Sequence, residues 1–428
     1  MNSHALEGVQ SEKRSSSSLR RLIVASSIGN ALEWFDIVVY GYFAVSISKA
    51  FFPAGNAGTS ILLAYGTFGI SYIARPVGAL WLGAIADRVG RKHSMLLSIG
   101  MMMVGTLMIA TMPTYAQIGL FAPVGILVAR LIQGVSAGGE FGSSTALLVE
   151  NDPKRRGFLA SFQFASQGFM TVMASLFGLA LSLSLSHEQV DAWGWRIPFF
   201  FGLLVGPVGL YIRRHVEEGT EFKIAKRETA PLKEIALHQK GNVALAIGTL
   251  IVSTVAAHVI LYMPVFAVKQ LHLPSSSAFS ANLVAGLVLT FGTPFVGILS
   301  DKLGRTRLMV IGALAFVLTV VPAFYMLKMF PGVGTLMLVM FWLALVKSVY
   351  FGALPALMAE AFPPETRATG MALSYNIGTT VFGGFTPFIV SAITIFTASD
   401  LAPALYLVPC ALLSLAATIV LRHRLVAA

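Results

Sequence analysis

Hydrophobic residues run through this chain in long, nearly unbroken blocks separated by short polar clusters. Windows of about 20 apolar residues match the length of a helix that crosses the hydrocarbon of a bilayer. They fall near 22–51, 59–86, 94–112, 117–149, 158–184, 195–213, 243–268, 278–300, 306–329, 334–361, 367–396 and 402–421. The pattern predicts an all-α polytopic membrane protein with twelve transmembrane helices. A membrane barrel would show short alternating segments instead. An even number of crossings places both termini on one side. Residues 1–18, with the run Ser15 to Ser18, read as a disordered tail. The apolar segment that follows is too long and too charged for a cleaved signal. The third and fourth spans are separated only by a short Pro113–Gln117 turn.

The polar, basic stretch 214–242 is a linker expected to hold short surface helices; it divides the chain into 19–213 and 243–428, about six spans each. The halves repeat. GAIADRVGRK starts at Gly83 and GILSDKLGRT at Gly297, 214 residues later, which is half the chain length. Asp87, Gly90 and Arg91 recur at that offset as Asp301, Gly304 and Arg305. A looser echo sets Glu150…Arg156 against Glu360…Arg367. A duplication of this length predicts two pseudo-symmetric six-helix bundles about an axis along the membrane normal, with a binding site between them at the midplane.

Composition agrees. The chain is 56% hydrophobic and 11% charged, against roughly 25% charged in soluble proteins. Its net charge of +11 does not indicate nucleic acid, because about 23 of the Lys and Arg fall on one predicted side. The positive-inside rule makes that side cytoplasmic, with both termini there. The single cysteine, Cys410, excludes an internal disulfide and a thiolate metal site. There is no Walker loop and no Cys–His metal pattern, so no ATP, metal or other cofactor is implied.

The chemistry lies in charges inside the spans. A carboxylate at the centre of a membrane helix costs roughly 2.5–3.5 kcal/mol on insertion scales and persists where it faces a bundle interior or a cavity. Glu33 and Asp36 in the first span share one helix face. They read as a proton or cation site, or as one side of an ion pair between helices. Arg130 in RLIQGVSAGGE carries a planar fork suited to carboxylates, or partners a first-span acid; Glu140 lies roughly three turns further on. Arg75 precedes Pro76, which loosens the helix beside it. Lys347 interrupts FWLALVKSVYFGALPAL. Three cations converging on a cavity would suit a multiply charged carboxylate; alternatively Lys347 pairs with Glu33, Asp36 or Glu140. Gln163 and Gln167 either bind a polar substrate or join helices. Tyr40, Tyr65, Tyr262 and Asn376 are candidate lining residues. His258 titrates near neutral pH or is a satisfied packing residue. Trp193, Trp195 and Arg196 read as an interfacial anchor.

The repeated G-x-x-x-D-R/K-x-G-R loop resembles the signature of the major facilitator superfamily. GNALEWFD, YIARPVGA, RLIQGVSAGGEFG, WGWRIPFF and FGGFTP together resemble its metabolite:proton symporter branch. That branch includes permeases for citrate, tricarballylate, α-ketoglutarate, shikimate, and proline or betaine. The resemblance implies a proton-coupled symporter that works by alternating access, not an enzyme, acting alone as a monomer in a bacterial inner membrane. It implies proton coupling by Asp36, Glu33 and Arg130. It further implies a gating latch formed by Gly83, Asp87, Arg88, Gly90 and Arg91 and by Asp301, Gly304 and Arg305. With Arg75, Arg130 and Lys347, the expected cargo is a di- or tricarboxylate such as citrate. Trp34 stands where citrate permeases of the branch carry glutamine, which leaves the acid open. The alternatives are a carrier for a neutral or zwitterionic metabolite and a non-transporting sensor. The fifth span lacks the Gly–Pro motif of drug antiporters, and no coiled-coil tail follows the last span, so efflux and osmosensing are not expected.

Overall fold

The computed structural model describes residues 16–88, 91–214 and 231–427. The tail through residue 15, residues 89–90 with Gly90, and residues 215–230 of the linker lie outside the described residues. Among the described residues every regular element is helical.

Twelve helices follow the apolar blocks. In chain order they are α1 (Ser16–Tyr42), α2 (Ala57–Arg88), α3 (Arg91–Thr111), α4 (Phe121–Ala137, continued by Glu140–Asn151), α5 (Arg156–Ser184) and α6 (Ile197–Arg214). The second half gives α7 (Lys240–Lys269), α8 (Ser275–Leu303), α9 (Arg305–Met329) and α10 (Val333–Phe351, continued by Leu354–Glu360). It ends with α11 (Arg367–Gly378, continued by Thr386–Thr397) and α12 (Ala402–Ala427). Ten of these spans, all but α3 and α6, are apolar enough over 18 residues to cross a bilayer. α3 carries a shorter apolar stretch, Leu96–Thr111. Phe396, Leu204 and Phe291 are 82%, 73% and 72% exposed. Side chains of that kind on the outer surface fit lipid rather than water as the solvent.

The repeat in the loops extends to the backbone. α4 breaks at Gly138–Gly139 and α10 breaks at Gly352–Ala353, at the same 214-residue offset as the loop motif. α11 passes through a π-helical stretch, Thr379–Gly384, an irregularity that occurs often at functional sites.

Small residues let the helices approach. A Cβ at Gly134 would lie 1.9 Å from the Ser71 carbonyl oxygen, one at Gly138 2.1 Å from that of Arg75, and one at Gly78 1.9 Å from that of Val135. The glycines of RLIQGVSAGG thus seat α4 directly on the backbone of α2. Across the two halves, α5 lies along α8 through Gly157, Gly168, Gly286 and Gly297. Gly134→Val is expected to cost more than the roughly 1–3 kcal/mol typical of overpacking, because the obstacle is backbone. Recovery of monodisperse protein after detergent extraction checks it, and near-normal recovery would refute the close approach.

Three local expectations are corrected. The Pro113–Gln117 turn winds into a short helix, Tyr115–Ile118, closed by a Thr114–Gln117 capping box. Helix α1 begins at Ser16, so it takes in the last three residues of the expected tail. Trp195 is fully buried and packs edge-on against Phe51, and Arg196 donates to the carbonyls of Ala110 and Met112 at 2.8 and 2.7 Å. Those carbonyls lie at the exposed C-terminal end of α3, which a cation satisfies. Only Trp193, 48% exposed, keeps a surface position.

Candidate functional site

A small cavity, about 10 Å³, lies between the halves. The first half contributes Glu33, Trp34, Tyr72, Arg75, Phe164 and Gln167; the second contributes Ser253, Thr254, His258, Phe351, Tyr375 and Thr379. Arg75 Nη2 contacts Glu33 Oε1 at 2.5 Å, and its guanidinium stacks 4.0 Å from the Tyr72 ring. Both charges are nearly solvent-free. His258 lies between Thr254 O and the Tyr72 hydroxyl, each at 2.8 Å. A carbonyl only accepts, so Nδ1 carries the hydrogen and Nε2 accepts from Tyr72. This bond ties α2 of one half to α7 of the other.

A second small chamber, about 20 Å³, lies inside the first half among α1, α3, α4 and α6. Its polar wall includes Glu33, Asp36, Ser98, Thr106, Ser136 and Glu140. Asp36 accepts from the Thr106 hydroxyl and, at 2.9 Å, from Gln133 Nε2. Gln133 Oε1 in turn accepts from Arg130 Nη1 at 2.8 Å. Arg130 therefore reaches Asp36 through an amide rather than directly. Its guanidinium lies over Tyr40 and Phe68, 4.4 and 5.0 Å from their ring centres, and its Nε has no hydrogen-bond partner. Thr106 and Gln133 were not singled out in the sequence. The available signal was a glutamine three residues after an intramembrane arginine, on the same helix face.

The remaining candidates divide. Gln167 lines the central cavity and donates to Asn30 Oδ1 at 3.3 Å. Gln163 donates to Ser26 O at 3.3 Å and joins α5 to α1. Asn376 donates across the halves to Gly138 O at 2.6 Å, at the break in α4. The Tyr40 and Tyr65 hydroxyls bond backbone carbonyls, and Tyr65 packs edge-on against Tyr262. Lys347 is 2% exposed. Its amine lies 4.3 Å from the ring centre of Phe351, which lines the cavity. No carboxylate among the described residues forms an ion pair with it, and Glu33 is taken by Arg75 instead.

The cavity is covered at both ends. On one side Tyr65 meets Tyr262, and Tyr42 and Phe43 pack on Phe279. On the other, Phe141 stacks on Tyr375 and Phe164 on Phe351 at 3.7 and 4.0 Å. Beyond these rings Asp301 accepts from the Gly157 and Phe158 amides at 2.8 and 3.0 Å, so an acid of the second half caps α5 of the first. Arg305 pairs with Asp301 and Glu360. The two echo motifs pair crosswise, Arg367 with Glu150 at 3.2 Å and Arg156 with Glu360 at 4.0 Å. Gly304 has φ +91°, a conformation glycine adopts freely. Gly83 meets no neighbour that a side chain would strike. The side chains of Asp87, Arg88 and Arg91 are outside the described residues.

Twelve helices, ten of them long and apolar enough to cross a membrane, in two repeated halves with charged groups lining chambers within and between them fit a secondary transporter. The model of the Major Facilitator Superfamily matches residues 27–387 and, again, 283–426. The chain belongs to that superfamily, and within it to the metabolite:proton symporters. It is 35% identical to a citrate-proton symporter of Klebsiella pneumoniae, covering 94% of this chain and 91% of that protein. It is 36% identical to an alpha-ketoglutarate permease of Escherichia coli (87% and 88% covered). To a glycine betaine/proline/ectoine/pipecolic acid transporter of Dickeya dadantii it is 31% identical (93% and 82%). Among solved structures, the proton:xylose symporter bound to 6-bromo-6-deoxy-D-glucose superposes with a TM-score of 0.75 at 17% identity, covering 94% of this chain and 95% of that one. That likeness concerns the fold alone.

Proposed function

We propose that this chain is a proton-coupled symporter that imports a small organic anion, a di- or tricarboxylate such as citrate, by alternating access. The observation that carries the reading is Arg75 on the wall of the central cavity, next to a separate acid-lined chamber holding Asp36. Arg75 supplies the fork that receives a carboxylate. Lys347, behind Phe351, supplies a second cation from the other half. Asp36, positioned by Thr106, Gln133 and Arg130, carries the proton. Gln167 offers the cargo a neutral hydrogen-bonding group. We place the protein in a bacterial inner membrane with both termini cytoplasmic, functioning as a monomer of two six-helix bundles, 19–213 and 243–428, joined by the linker.

The test is uptake into proteoliposomes under an imposed pH gradient. The panel holds citrate, tricarballylate and α-ketoglutarate against shikimate, proline and betaine. Accumulation of a carboxylate driven by outside acidity supports the reading. A second reading, a zwitterion carrier, draws on the aromatic wall of Trp34, Tyr72, Phe164, Phe351 and Tyr375, since aromatic faces hold quaternary ammonium groups. It predicts accumulation of betaine or proline and not of carboxylates. Binding without flux would identify a sensor.

In this reading the Asp301 cap and the crossed ion pairs form the latch on the side carrying the repeated loops. Asp301→Asn leaves one amide with a neutral acceptor, worth about 0.5–1.5 kcal/mol in place of roughly 1.5–3 kcal/mol, and leaves the other facing an NH2 that cannot accept. The expected result is about tenfold faster labelling of Thr379→Cys in a Cys410→Ala background. Unchanged labelling would remove Asp301 from the latch.

A further inference from the structure

Among the described residues, one side chain lines both chambers. Glu33 belongs to the wall of the central cavity, where it holds Arg75 at 2.5 Å, and to the wall of the chamber that contains Asp36 and Glu140. Asp36 lies in the second chamber only, and Arg75 in the first only. The Asp36–Gln133–Arg130 chain is therefore absent from the wall of the space where cargo would sit, and Glu33 is the residue that the two walls share among the described residues. We propose that Glu33 is the switch that couples cargo to proton, through exchange of the Arg75 ion pair. The inference rests on the proton-coupled reading above and assigns that reading its mechanical step.

The step follows from charge. In the empty state Arg75 and Glu33 neutralise each other. A cargo carboxylate entering the central cavity competes for the same guanidinium, and forming that pair leaves Glu33 without its cation. A buried carboxylate stripped of its partner is costly, and protonation removes the charge. The proton comes from Asp36 through the chamber the two acids share: its bond to the Asp36 carboxyl breaks, a bond to a Glu33 carboxylate oxygen forms, Asp36 is reloaded from outside, and no electron is transferred. At Arg75 one cargo carboxylate takes the place of Glu33 and one proton neutralises Glu33, so the charge around the guanidinium is unchanged; the second carboxylate of a dianion falls to Lys347. The other groups acting on Glu33 are Glu140 on α4, Tyr72 on α2 and Tyr375 on α11, with Asp36 further along the same chamber. None is a cation that would hold Glu33 ionised once Arg75 is taken. When the cargo leaves, Arg75 returns to Glu33 and drives the proton off.

The experiment measures equilibrium binding of α-ketoglutarate, which is fully ionised at neutral pH, to the purified full chain at two pH values one unit apart. Proton uptake on binding is read in weak buffer. In the wild type, one linked proton makes affinity fall about tenfold per unit rise in pH, with one proton taken up. Glu33→Gln removes the competitor for Arg75, so it is expected to bind more tightly and without pH dependence. Glu33→Asp is expected to restore the dependence. Weaker binding by Glu33→Gln, or an unchanged pH slope, would overturn the switch and assign Glu33 a structural role. A wild type that binds no carboxylate would overturn the cargo reading, and a ligand-free arm then decides the switch alone. In that arm, infrared spectroscopy of Arg75→Gln is expected to show a protonated carboxyl band that is missing from the wild type and from Arg75→Gln/Glu33→Gln. Absence of that band in Arg75→Gln would sink the exchange.

Discussion

Replacing Asp36 with asparagine is expected to abolish proton-driven accumulation and to spare exchange of cargo across the membrane. Each unit of imposed pH gradient supplies about 1.4 kcal/mol per coupled proton, a tenfold concentration ratio. The wild type should reach about that ratio, and Asp36→Asn should stop at one. The substitution preserves shape. An amide oxygen at this position still accepts from Gln133 or from Thr106, the two donors that hold the carboxylate. Arg130 keeps its bond to Gln133 and its place over Tyr40 and Phe68, so the helices around it have no reason to repack. What is lost is a group able to gain and lose a proton. Counterflow between loaded vesicles and labelled cargo needs no net proton movement, so it should continue at near wild-type rate. Equal loss of accumulation and exchange would mean that Asp36 supports the fold or the conformational cycle rather than the coupling.

How far this site was visible in the sequence depends on what each residue signals alone. A membrane fold declares itself because the bilayer requires long apolar helices, and the duplication because Asp87 and Asp301 sit at one offset in matching loops. Intramembrane charges declare themselves because each is expensive. Their partners do not, because pairing depends on helix rotation, which the apolar pattern of a helix enclosed on most sides fixes poorly. In the sequence Arg130 is a candidate partner for an acid on α1, and Arg75 reads as an anion-binding group instead. The structure gives Glu33 to Arg75 directly and connects Asp36 to Arg130 only through Gln133. Two separate chambers where one was expected follow from the same limit. Glu33 and Asp36 share a helix face, but three residues of rotation and rise suffice for Glu33 to reach the central cavity while Asp36 faces α3 and α6. Thr106 is an ordinary hydroxyl in an apolar run, with nothing in the sequence to separate it from hydroxyls that bond only their own helix. Trp195 reads as an interfacial residue by type, and only its packing under Phe51 shows otherwise.

The two cations on opposite halves should separate by stability as well as by transport. Lys347 lies at membrane depth with an aromatic face beneath its amine and no paired carboxylate among the described residues. An intramembrane lysine costs roughly 2.5–3.5 kcal/mol on insertion scales, while a desolvated cation–π contact returns about 2 kcal/mol. Truncating it removes a cost and leaves no charge stranded. Lys347→Ala should therefore melt at or above the wild-type temperature. A charge-assisted hydrogen bond to the cargo is worth about 1.5–3 kcal/mol, so its apparent KM for a di- or tricarboxylate should rise at least tenfold. Arg75→Ala should raise KM as well, but it also strands Glu33. Breaking one side of a buried pair typically costs about 3–5 kcal/mol, which should lower the melting temperature clearly, and Arg75→Ala/Glu33→Ala should recover much of that loss without recovering affinity. Thermal unfolding in detergent and uptake kinetics on the same preparations test both. If Lys347→Ala keeps the wild-type KM for every carboxylate on the panel, the amine is not part of the cargo site, and recognition then falls to Arg75 and the neutral groups of the central cavity.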